Sequence, residues 1–263
     1  MDAQVAALDW YHSLELAPGV VTPGWFDTRS LPPLLPLPAS LQGRRCLDIG
    51  TFDGFWAFEM ERRGASEVVA IDILDPQRWD WPAGSEPATV TAIGARKAGG
   101  RGFEIARAAL GSRVERAERS IYELDPARDG RFDFVYVGSL LLHLRDPVGA
   151  LGRVRSIAAG EVLVVDAYDP WLTLLSPRRA LARLDAVGRP WWWRPNVAAL
   201  VRMLAAAGLA LTGPPVRVSF PPGAGAPRPR LSPRLLASPA GREALWFSRR
   251  GAPHVALAAR PSG

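Results

Sequence analysis

The sequence predicts an α/β fold, a doubly wound and mostly parallel sheet of seven strands that closes in an antiparallel C-terminal hairpin. Three observations predict it. Short apolar runs at Arg45–Ile49, Glu67–Asp72, 114–120, 132–137 and 161–166 alternate with stretches of helical spacing, and strands that alternate with helices build parallel sheets. The first run ends in a glycine turn, CLDIGTFDG over residues 46–54, which leads directly into a helical segment. After the alternation come two further strand-like runs, 209–220 and 252–259, with a Pro/Gly/Arg-rich insertion between them.

A chain of 263 residues is long enough for one large domain with a full core. The expected division is an N-terminal cap segment, 1–44, and a binding domain, 45–263, with an insertion at about 213–242. No apolar run reaches 18 residues, so no membrane span is expected, and Asp2 and Asp9 near the start argue against a signal peptide. These features predict a cytoplasmic protein. Cys46 is the single cysteine, and with three histidines at unrelated spacings the sequence offers no zinc cluster. Charge is uneven. From Gly213 onward there are eight arginines and one acid, Glu243, so the net +6 of the chain resides in its C-terminal fifth. Such a region attracts polyanions such as RNA, although a solvated arginine surface is the preferred reading.

In chain order, 9–16 (DWYHSLEL) reads as a short helix. Pro32, Pro33, Pro36 and Pro38 then exclude a regular helix interior. Trp10, Tyr11, Trp25 and Phe26 are too aromatic for a disordered tail, and the segment is expected to cover the site. Helices are expected at 53–63, 103–111, 147–158 and 194–207, and 74–100 is expected to be irregular.

The turn at 46–54 has the form D-x-G-x-x-x-G. Gly50 tolerates positive φ and lets backbone approach a ligand, and the amides at the helix start form a polar cradle. A dinucleotide site wants G-x-G-x-x-G. Here a carboxylate, Asp48, precedes the first glycine. It repels a pyrophosphate and suits an ammonium group such as that of a methionine-like ligand. The second strand ends in Asp72, placed to accept bonds from ribose hydroxyls.

Together with WYHSLEL-APG-VVTPGWFD (10–27), VVAIDI (68–73), FDFVYVGSLLLHLRDP (132–147) and WWWRPNVAALVRMLAAAGL (191–209), this turn resembles the class I, Rossmann-like methyltransferases that use S-adenosyl-L-methionine (SAM), and among them the tRNA (mo5U34) methyltransferase-like, CmoB-like group. The resemblance implies SAM as cofactor and S-adenosylhomocysteine (SAH) as product. In the wobble-uridine enzyme a tyrosine before the histidine that follows the fourth strand, and a lysine ahead of the first motif, hold the carboxylate of carboxy-SAM. Leu142 occupies the first place here, and 8–13 read LDWYHS without lysine. The sequence therefore favours plain methyl transfer to O or N of a small molecule. Carboxymethylation of tRNA remains open, as does a SAM-consuming cyclisation or elimination that releases methylthioadenosine.

The resemblance implies a cofactor site built from Asp48, Gly50, Phe52, Asp53, Gly54, Asp72, Ile73, Ser120, Ile121, Gly138 and Ser139. Imidazoles titrate near neutral pH, and His143 and His12 are the catalytic candidates. Trp25, Tyr168, Trp191, Trp193 and Asn196 are candidate acceptor-binding residues, because three consecutive indoles cannot all face a core. No metal is expected, and the sequence leaves the oligomeric state open.

Overall fold

A computed structural model describes residues 2–186 and 190–262. The strands β1 (Arg45–Ile49), β2 (Glu67–Asp72), β3 (Glu115–Glu118), β4 (Phe132–Gly138), β5 (Ala158–Ala167), β6 (Leu209–Leu211), β7 (Val216–Phe220) and β8 (Ala252–Pro261) form one sheet. Its order is β6-β8-β5-β4-β1-β2-β3, with β7 also paired to β8. The five strands from β1 to β5 pair in parallel, and β8 runs antiparallel to β5. Eight strands fill seven positions. Where the sequence predicts one strand over 209–220, Gly213, Pro214 and Pro215 interrupt it, and β6 and β7 bind successive stretches of the same edge of β8. Proline has no N–H for a ladder, so the break falls there.

The central strands β1, β4 and β5 are buried on both faces, as parallel sheets require. Cys46, Val68, Ala70, Phe134, Tyr136, Leu163 and Val165 pack with α1 (Phe55–Arg62), α3 (Arg101–Leu110) and the cap. Leu47, Ile49, Ile71, Val135, Val137, Val162 and Val164 pack with α4 (Pro147–Ile157) and α5 (Val197–Ala206). Strand alternation thus turns Asp48 and Asp72 toward the cap side.

Three expectations are corrected. The stretch 9–16 is not a helix: it forms the strands Trp10–His12 and Glu15–Ala17, and Trp10–His12 pairs in parallel with Gly24–Phe26. Gly24 makes that pairing possible, because a Cβ there would lie 2.2 Å from the His12 carbonyl carbon. Thr22 adds two bonds, accepting from the Leu14 amide at 2.8 Å and donating to the His12 carbonyl at 2.8 Å. The stretch 74–100 is not wholly irregular. It contains α2 (Pro87–Ala95), whose Pro87 sits at the first turn, where a missing N–H costs nothing. The expected insertion at about 213–242 is not all irregular: it contains β7 and a short helix, Pro233–Ala237, and α6 (Pro239–Arg250) begins inside it, capped by the Ser238 hydroxyl on the Gly241 amide at 3.0 Å.

Candidate active site

The carboxyl ends of β1, β2, β4 and β5 meet under the cap. At the tip of β1, Gly50 has φ +80° and Gly54 has φ +92°. A Cβ on Gly54 would lie 2.4 Å from the Phe58 ring and 2.9 Å from that of Phe103, so only glycine leaves room for those rings at the start of α1. Asp48 is 1% exposed, and its Oδ2 has no hydrogen-bond partner. Burial pushes its carboxyl up to about 7, against the pull of the Thr51 hydroxyl and of His12, while Asp72 pushes it further up. The Tyr136 hydroxyl is likewise buried and unpaired. Buried polar groups are nearly always bonded, and these two orphans fit a ligand that brings a cationic donor, as the ammonium of SAM does.

At the tip of β2, the Asp72 carboxylate accepts from the Phe52 amide at 2.9 Å and the Ile73 amide at 2.8 Å. It is also paired with Lys97, the chain's only lysine, to which the sequence assigned no role. The ammonium reaches the Ile73 carbonyl at 3.3 Å and lies 5.4 Å from the Phe52 ring centre and 5.0 Å from that of Trp79. The Asp72 carboxylate, expected to serve a ribose, therefore carries an internal counterion. Phe52 holds φ 51°, a strained value for a non-glycine residue. Ser120 and Ile121 are otherwise engaged. Ser120 forms a capping box with Glu123, its amide on the Glu123 carboxylate at 2.8 Å, and Ile121 is a core residue.

Asp53 is also committed elsewhere. Its carboxylate accepts the Tyr11 amide at 2.8 Å, the His12 amide at 2.7 Å and the His12 ring Nδ1. It anchors the cap and is not free to line the cofactor. His12 is 4% exposed, with its ring stacked on Phe55.

The sequence missed His254. It lies at the start of β8, opposite Ala167 of β5, so the antiparallel pairing carries it to the carboxyl edge of the sheet. Its Nδ1 faces the Ala252 carbonyl at 3.0 Å, an acceptor only, so Nδ1 carries the proton and Nε2 accepts from the Ser139 hydroxyl at 2.9 Å. Burial lowers the His254 imidazole to about 4, and its ring stacks on Phe220 at 3.9 Å. Ser139 holds φ 48°. A Cβ on Gly138 would lie 2.5 Å from the Tyr136 ring, so glycine gives that ring room. Asp166 turns both oxygens to backbone amides, Leu140 at 2.8 Å, Leu141 at 2.7 Å and Ala167 at 2.8 Å, and burial pushes it up to about 6.

His143 donates from Nδ1 to the Pro190 carbonyl at 2.6 Å, which leaves Nε2 with a lone pair; burial lowers it to about 4. Trp191 lies 6.4 Å from its ring. Trp193 bonds the Arg145 carbonyl at 3.1 Å, and Trp192 bonds the Asp80 carbonyl at 2.7 Å. Tyr168 follows β5, and its amide bonds the Pro253 carbonyl at 3.3 Å. Two acceptor candidates are structural. Asn196 is fully buried and spends its amide group on Leu181, Ser176, Arg179 and Ala199 backbone atoms. Trp25 is held between Arg96 at 4.7 Å and Phe247 at 6.0 Å.

Residues 28–212 match the family model described as a methyltransferase domain. The chain belongs to the class I SAM-dependent methyltransferases. The tRNA U34 carboxymethyltransferase of Alcanivorax borkumensis is 30% identical over 176 residues, 65% of this chain and 46% of the relative, so this methyltransferase spans less than half of that protein. Solved structures share the fold. The N-terminal domain of EvdMO1, determined in the presence of SAH and D-fucose, has a TM-score of 0.55 and 17% identity, with coverage of 99% of this chain and 96% of that one. The 1,6-didemethyltoxoflavin-N1-methyltransferase of Burkholderia thailandensis has a TM-score of 0.51 and 15% identity, covering 84% and 72%. Among the described residues no helix is long and apolar enough to cross a membrane, and no group of three or more His, Cys, Asp or Glu could hold a metal.

Proposed function

We propose that this methyltransferase transfers the methyl group of SAM to an oxygen or nitrogen of a small-molecule acceptor held beneath the cap. The observation that carries this reading is the cap itself. Trp10, Leu14 and Phe26 share one buried cluster with Trp56, Tyr136 and Phe220, and His12 is buried beside them. A roof packed this way suits a small acceptor better than a polymer.

In this reading Asp48 takes the ammonium of the methionine moiety, and the backbone at Gly50 lies along it. Asp72 serves the ribose hydroxyls once Lys97 gives way, and Ile73 lies against the adenine. SAM supplies an already activated methyl group, so positioning and desolvation provide most of the acceleration. The remaining task is the acceptor's proton. It passes to the Ser139 oxygen as the Ser139 proton moves to Nε2 of His254. A base lowered to about 4 is weak, but an acceptor hydroxyl or amine becomes strongly acidic once its bond to the methyl carbon has formed. His143, with Nε2 bare, is the second base candidate, and His12 acts through the cap.

The tRNA-modifying reading has one observation in its favour, the relative of that name. Against it stand Leu142 before His143 and the lysine-free 8–13 segment. The test is incubation with SAM alone, with small nucleophilic metabolites and with tRNA, followed by mass spectrometry of nucleoside and acceptor. SAH together with a methylated small molecule supports the proposal. A methylated or carboxymethylated tRNA, or methylthioadenosine from SAM alone, refutes it.

A further inference from the structure

The segment 221–250, which carries most of the C-terminal arginines, supplies no side chain to the Ser139–His254 relay, yet it is not a loose tail. Its segment 221–231 is fastened to the cap: the Gly223 amide bonds the Trp25 carbonyl at 2.8 Å, and the Gly225 amide bonds the Gly24 carbonyl at 3.0 Å. A Cβ on Gly223 would lie 2.2 Å from the Gly24 carbonyl oxygen, and one on Gly225 would lie 2.3 Å from that of Pro23. Both glycines are therefore required for this close backbone contact. Between the segment and α6 lies a cavity of about 330 Å³, walled by Pro222, Pro227, Pro229, Leu231 and Leu245, with Arg228 and Arg249 beside it.

We propose that this cavity binds a small organic anion, a single phosphate or carboxylate on an apolar body. Its volume falls at the lower end of the range of small-ligand sites. The prolines and leucines accept an apolar body, and the prolines limit the conformational entropy lost on binding. The anionic group falls to the two arginines. Among the described residues neither has an ion pair, and Glu243, the only acid beyond Gly213, is held by Arg194. The Ser248 hydroxyl donates to the Leu245 carbonyl at 2.9 Å, so the donors left for an anion are the guanidiniums. Guanidinium forks match phosphate and carboxylate oxygens. A single-stranded RNA instead needs stacking faces along an open groove. Trp246, exposed on the same helix, has Arg250 over its ring at 5.6 Å. The site stands apart from the cofactor cradle, although Phe247 of α6 packs on Phe26 at 5.5 Å and Phe26 on Tyr11 at 5.1 Å.

The test is calorimetric titration of the full chain with phenyl phosphate, inorganic phosphate and phenol, with SAH affinity measured in parallel. Phenyl phosphate is expected to bind about tenfold or more tightly than either half. Arg228→Gln with Arg249→Gln, and separately Leu245→Trp to fill the cavity, are each expected to cost about tenfold while SAH affinity stays at the wild-type value. Equal binding of phenyl phosphate to wild type and the double variant overturns the proposal, as does inorganic phosphate binding as tightly as phenyl phosphate. So does a single-stranded RNA that displaces phenyl phosphate with steep salt dependence. Loss of SAH binding alone bears on the cofactor cradle and not on this cavity.

Discussion

Asp48→Asn separates the demands of folding from those of ligand binding. The Asp48 carboxyl is buried with one oxygen unpaired, and its folded value lies near 7 against an ordinary 3.8. A carboxyl raised in this way adds stability that is complete below its unfolded value and is lost as pH rises through its folded one. The shift is about three units, worth about 4 kcal/mol at pH 8 when the carboxylate must be buried charged. At pH 5 most folded molecules keep the proton, and the same linkage gives about 2 kcal/mol. An asparagine never pays this cost, so the variant should gain stability over wild type, and the gain should grow by about 2 kcal/mol from pH 5 to pH 8. Urea unfolding at both pH values measures the difference, and titration with SAH measures what was given up, a loss of about tenfold or more with the ammonium's partner gone. A variant that is no more stable at pH 8 than at pH 5 relative to wild type, or that binds SAH unchanged, would refute the assignment of Asp48.

Three other outcomes are expected. If SAH places its ammonium on an ionised Asp48, binding at pH 6 must expel the Asp48 proton, and calorimetry in buffers of different ionisation enthalpy will show proton release that fades toward pH 8. His254→Gln should make the protein less sensitive to acid. An imidazole held near 4 against an ordinary 6.5 weakens the fold as pH falls from 6.5 to 4, by up to about 3 kcal/mol, and urea midpoints across that window should be flatter in the variant. Asn196→Ala should destabilise by about 2–4 kcal/mol, since it strips an N-cap and leaves buried carbonyls and an amide without partners. An effect of Asn196→Ala on an acceptor's KM with unchanged stability would return that residue to the pocket.

The sheet was legible because its strands carry their own signature. Two-sided burial makes Phe134–Val137 and Val162–Val165 apolar throughout and leaves Asp48 as the one charge in Cys46–Ile49, and a glycine with no room for a Cβ marks the turn at Gly54. The turn from Asp48 through Gly50 to Gly54 was legible for the same reason, since a strand tip and the turn behind it are neighbours in the chain. Residues whose partners lie far along the chain were not. Nothing in LDWYHS says that Asp53 will hold the Tyr11 and His12 amides, because that bond spans about 40 residues and exists only when the cap folds over α1. Asn196 resembles a pocket residue until the 176–181 loop closes on its amide.

The sequence by itself determined the alternation of sheet strands with helices and the family, because each rests on local spacing and on residues a few positions apart. Tertiary structure alone decided which groups stand ready for chemistry. His254 reaches Ser139 across 115 residues through the antiparallel pairing of β8 with β5, and Lys97 reaches Asp72 across 25. The physical reason is that a side chain's protonation, tautomer and partners are set by the groups packed around it, and the chain brings those groups together only when it folds.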